Sequence, residues 1–173
     1  MRTFVLTAAA VTTVAAATAL WPASPARAAA THIACAGTST VSYSPGITDT
    51  PRPVRISTDA VFGSCVSSDP TITGGTTHAG GPATIGCGPA AGTGSSRVDW
   101  NNGQHSTFEF RTVYVNRPAG QTLIVISGTV TDGEFLGDHV DGAGLYLTAD
   151  IAGCGSAAGV TSTFGPVTRT FSS

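Results

Sequence analysis

Beyond its first 28 residues the chain is interrupted by glycine or proline about every eight to twelve residues, the spacing expected of an all-β sandwich or barrel. The segments between these breaks are rich in Val, Ile, Thr and Ser, which suits extended strands and tight turns. Strands are expected near 38–44, 52–58, 70–77, 83–88, 95–101, 104–116, 121–132, 144–150, 159–164 and 166–172. No repeat or long linker divides the chain. The expectation is a single-domain antiparallel β-sandwich over 29–173, Greek-key or jelly-roll-like, with two disulfides.

Residues 1–28 read as a secretory signal peptide. Arg2 precedes the uncharged run Phe4–Leu20, Pro22 and Pro25 break it, and Ala26-Arg27-Ala28 presents small residues at a cleavage site. The run is Ala- and Thr-rich and shorter than the roughly 20 apolar residues of a membrane span. Cys35 lies too far downstream for a lipid anchor. A secreted, extracellular protein beginning at Ala29 is expected, with no membrane attachment after cleavage.

Past residue 28 there are six arginines, ten acids and no lysine, a net charge of −4. Phosphate backbones and anionic membranes both require clustered cations, so no nucleic acid or membrane-surface partner is expected.

Cys35, Cys65, Cys87 and Cys154 are too far apart for CxxC metal or redox chemistry. In an oxidising compartment they read as two disulfides. Of three possible pairings, Cys35–Cys65 with Cys87–Cys154 is favoured: the first ties the N-terminal strand to a nearby loop, the second the middle of the chain to its late strands.

Asn102-Gly103 lies between two alternating runs, a strong hairpin signal. A three-residue loop, Asn101-Asn102-Gly103 with Gly103 left-handed, sets Trp100 opposite Gln104 and Val98 opposite Ser106. Trp100 and Val98 then share a face with Phe108, Phe110 and Tyr114, so this register is preferred over a two-residue turn. Leu123-Ile124-Val125-Ile126 is apolar on both parities and reads as a central strand covered on both faces. Tyr43-Ser44-Pro45-Gly46 with Thr50-Pro51, Trp100–Gln104 with Ser106-Thr107-Phe108, and Gly128–Thr131 with Gly133, Phe135 and Gly137 together resemble small secreted proteins of filamentous actinobacteria. That group has no assigned activity, so the resemblance implies export and a β fold and transfers no catalytic residue.

Chemistry-bearing groups are sparse. Asp132, Glu134, Asp138 and Asp141 surround His139 on a Gly-rich stretch that could hold Ca²⁺, although the spacing is not that of an EF-hand and a solvated acidic loop is the preferred reading. His32, His78, His105 and His139 are scattered, and no Gly-x-Ser-x-Gly elbow occurs. Trp100, Tyr43, Tyr114 and Tyr146 are the rings available to a sugar, with Trp100 patterned for the core. Ser64–Pro70 could form a disulfide-braced inhibitory loop. No catalytic residue, cofactor or metal site is assigned. The expected role is non-catalytic, binding an extracellular ligand or cell-wall component or serving as a structural component; a small hydrolase or a protease inhibitor is the alternative.

Overall fold

The computed structural model describes residues 30–117, 121–147 and 151–173, with the side chains of 114–117, 151 and 152 set aside. The leader, 1–28, and the Tyr114 ring therefore lie outside the described residues. Eight strands follow in order: β1 (Thr31–Ile47), β2 (Arg52–Ser67), β3 (Gly75–Ile85), β4 (Ala90–Trp100), β5 (His105–Arg117), β6 (Gln121–Gly133), β7 (His139–Leu147) and β8 (Val160–Ser172). Each pairs antiparallel with the next, and β8 returns to β1, so one sheet closes on itself as an up-and-down barrel.

The chain is all-β and antiparallel, but it is a barrel where two stacked sheets were expected. The long β1–β8 ladder makes the difference, because it joins the two edges that a sandwich leaves open. Ten expected segments become eight strands. The 70–77 and 83–88 segments meet in β3, and the last two merge in β8 across Gly165-Pro166. Pro166 is tolerated there because the β7–β8 ladder is interrupted between Phe164 and Val167. The 123–126 run is covered on one face only: Ile124 and Ile126 point inward, while Val125 is exposed, since a barrel has a single dry side.

The end of the barrel holding the β4–β5 and β6–β7 turns is packed solid. The hairpin takes the three-residue loop, with Val98 opposite Ser106, Gly103 donating to the Trp100 carbonyl, and φ +89° at Gly103. Trp100 is buried and donates Nε1–H to Ser106 Oγ at 2.9 Å. Its ring partners are Phe135 and Phe171, at 6.1 and 5.7 Å, and Phe108 is reached through Phe171. Barrel closure brings β8 and the β6–β7 turn onto Trp100, a neighbourhood that hairpin register alone could not supply. Phe135 is held there at φ 61°, a conformation unfavourable for a bulky residue and secured by this aromatic packing.

The disulfides are Cys35–Cys65 and Cys87–Cys154, the favoured pairing. The first links residues directly opposed in the β1–β2 ladder. The second joins the β3–β4 connection to the 3₁₀ turn Ile151–Gly155 at the other end of the barrel. There Cys87 N–H donates to the Thr48 carbonyl and Asp49 N–H to the Cys154 carbonyl, binding three connections into one cap. No described cysteine is free, which fits an oxidising compartment. No described helix is long and apolar enough to cross a membrane.

The wall has one weak place. β3 and β4 pair only through Gly75–Trp100, Thr76–Asp99 and Thr77–Val98. Beyond these, β3 stays with β2 and β4 stays with β5, while no ladder joins Ala79–Ile85 to Ala90–Ser96.

Candidate functional site

Inward positions on a strand alternate, and in an eight-stranded barrel the enclosed space is just wide enough for side chains or one small ligand. Around the aromatic end those positions carry Ile33, Phe62, Trp100, Phe108 and Phe171. Midway along the barrel they become polar: Ser39 on β1, Thr77 on β3, Ser96 on β4 and Thr112 on β5 are all buried. None of these four hydroxyls finds a hydrogen-bond partner among the described residues. They line a cavity of about 100 Å³ together with Tyr146 and Arg169.

Arg169 gives this cavity its character. The inner row of β8 runs Thr163, Gly165, Val167, Arg169, Phe171, so the cation stands directly between two apolar inward residues. Its Nε and Nη1 have neither solvent contact nor a hydrogen-bond partner, and none of the described carboxylates forms an ion pair with it. The guanidinium lies 5.3 Å from the Phe108 ring centroid and 5.9 Å from that of Phe62. Such contacts offset part of the lost hydration, by about 2 kcal/mol when desolvated. Burial still pulls its pKa down to about 10, only partly opposed by interaction with Tyr146. Burial pushes the Tyr146 phenol up, while Ser39 and Arg169 draw it back. Ser39 Oγ lies near that phenol without forming a geometrically complete hydrogen bond.

Two glycines on β7 make room for these groups. A Cβ at Gly142, which pairs with Arg169, would stand 2.7 Å from Nη1. One at Gly144 would stand 2.5 Å from the Tyr146 ring. Side chains at either position would displace the polar groups, so the glycines form the seat of the site.

The residues singled out from sequence fall elsewhere. The acidic stretch does not converge: Asp132 meets His105 at 3.0 Å, Glu134 accepts from Gln104, Asp138 is buried against His32 at 2.6 Å, and Asp141 faces His139 at 3.3 Å. The remaining histidine, His78, pairs with Asp59 at 2.6 Å on the surface. Ser127, His139 and Asp141 form the one Ser-His-Asp grouping among the described contacts, yet serine and aspartate approach the same ring nitrogen, Nε2. A triad requires the acid on Nδ1 so that Nε2 can take the serine proton. Tyr43, Trp100 and Tyr146 are buried and form no exposed platform for a sugar. Of Ser64–Pro70, the first four residues continue β2, and the turn that follows is pinned by Ser68 N–H to the His32 carbonyl. A broad groove of about 790 Å³ crosses the outside of β4–β7 around Glu109, Arg111 and His139, where water competes for every polar group. Sequence reasoning missed Arg169 altogether. The alternation Val167-Thr168-Arg169-Thr170-Phe171 was the available signal. Comparison of the chain with family models, curated proteins and solved structures finds no match.

Proposed function

We propose that this protein is an exported, non-catalytic binding protein whose ligand sits inside the barrel. The observation that carries this reading is the cavity lined by four buried hydroxyls and by a guanidinium whose Nε and Nη1, like those hydroxyls, have no hydrogen-bond partner among the described residues. Native proteins pair nearly all buried polar groups, and each exception invites an explanation. An unmade hydrogen bond to a buried hydroxyl costs about 1–3 kcal/mol, and a buried charge costs more. A bound molecule that supplies acceptors on this surface would recover that free energy as affinity. Export is supported by the leader-like residues 1–28 and by the disulfides. The non-catalytic reading is supported by the geometry at Ser127, His139 and Asp141.

The test is a thermal-shift and calorimetric screen of mature protein, beginning at Ala29, against small polar molecules. A ligand of the interior should raise the melting temperature, and Thr112→Val should remove that rise. Ligands whose binding ignores Thr112→Val and Ser96→Ala would place binding outside the barrel. Turnover of ester, peptide or glycoside substrates, abolished by a His139 substitution, would replace this reading with a hydrolase.

A further inference from the structure

We propose that the interior site takes a small monocarboxylate, admitted through the gap in the wall between β3 and β4. The proposal rests on the binding reading above and names what is bound. Charge sets the class. Among the described residues Arg169 is the sole cation lining the cavity, and no acid lines it. A monoanion neutralises that charge, whereas a dianion would leave a new one uncompensated inside the barrel. A guanidinium is a planar fork of donors matched to a carboxylate, and the surrounding hydroxyls can donate to the same oxygens. Ile124, Ile126 and Val167 supply an apolar wall for a short alkyl body. About 100 Å³ is well below the roughly 300 Å³ at which drug-sized pockets begin, which limits that body to a few carbons.

The route has its own support. Ladder pairing ends at Thr77–Val98, and the next inward residues, Ala79 and Ser96, line both the cavity and an outer groove of about 530 Å³. The strands remain apart up to the β3–β4 connection, which Cys87–Cys154 and the Cys87–Thr48 hydrogen bond hold at the capped end. Arg55 and Arg97 line that groove; Asp59 and Asp99 stand beside it on His78 and Arg97, which leaves Arg55 as its cation without an ion pair among the described residues, free to meet an approaching anion.

Native cysteines are all bonded, so Ser96→Cys introduces a single thiol at the junction of groove and cavity. Its alkylation rates with iodoacetate, itself a small carboxylate, and with neutral iodoacetamide are measured on the folded protein. Relative to N-acetylcysteine, the iodoacetate-to-iodoacetamide ratio should rise about tenfold or more through the nearby buried cation. It should return to the free-thiol value in Ser96→Cys/Arg169→Met. Propionate and butyrate should protect the thiol from iodoacetamide, and propionamide and sulfate should not. Gly81 lines the groove with open space where a side chain would project, so Gly81→Trp should slow both reagents about tenfold. A ratio equal to that of the free thiol, with protection by propionamide, overturns the carboxylate assignment and leaves interior binding standing. Unchanged rates in Gly81→Trp overturn the route. If neither reagent modifies the folded protein, at Ser96→Cys or at Ala79→Cys, access fails and the binding reading fails with it.

Discussion

Replacing Arg169 with Met should make the ligand-free protein more stable. A guanidinium whose pKa falls from the ordinary arginine value to about 10 is disfavoured in the fold by roughly 3 kcal/mol, at about 1.4 kcal/mol per pKa unit. Methionine retains much of the apolar stem and removes that term. It also forfeits the contacts with Phe62 and Phe108, worth up to about 2 kcal/mol. The net expectation is a gain of about 1–2 kcal/mol, or a melting temperature higher by about 3–8 °C for a domain of this size. Scanning calorimetry of both proteins at pH 7 reads it directly. The sign of the pH dependence is also defined. The folded state holds this proton less tightly than the unfolded chain, so wild type carries the full disadvantage below about pH 10 and loses it as pH rises towards the ordinary arginine value. Tyr146, with its raised pKa, acts in the opposite sense above pH 10, which is why the comparison belongs at neutral pH. A melting temperature lowered by several degrees would refute the reasoning, because it would mean the guanidinium is satisfied within the protein and is a structural strut.

Three further outcomes follow from local geometry. Gly142→Ala places a Cβ 2.7 Å from Arg169 Nη1 and should cost about 1–3 kcal/mol by urea denaturation while weakening any interior ligand at least as much. Gly103→Val should destabilise by about 1–2 kcal/mol through backbone conformation alone, since φ is +89° and nothing crowds the position; Gly103→Asn should recover most of that loss. Asp69 accepts from the Thr71 N–H and hydroxyl, which hold its carboxyl below the ordinary 3.8. Its contribution is complete above that value and is lost as pH falls through the lower folded pKa, so Asp69→Ala should flatten the acid limb of the stability profile below about pH 4.

The local rules were legible in the chain. Breaker spacing and β-branched content announced the strands; the Asn102-Gly103 signal marked the turn with Gly103 at positive φ, and the shared face of Trp100, Val98, Phe108 and Phe110 chose its register. Cysteine spacing favoured the pairing that the structure contains. These are properties of neighbouring residues or of chain length, and they survive whatever the rest of the molecule does. Closure is different in kind. Whether the edges of a sheet meet each other or a second sheet packs on its face depends on twist and stagger accumulated over every strand, and alternation along one strand looks the same in both cases. The candidate site inherits that dependence. Ser39, Thr77, Ser96, Thr112, Tyr146 and Arg169 come from six different strands, each unremarkable in its own segment. Only the closed barrel turns them towards one another, keeps solvent from Arg169 Nε and Nη1, and makes two β7 glycines the space in which its guanidinium and the Tyr146 ring fit.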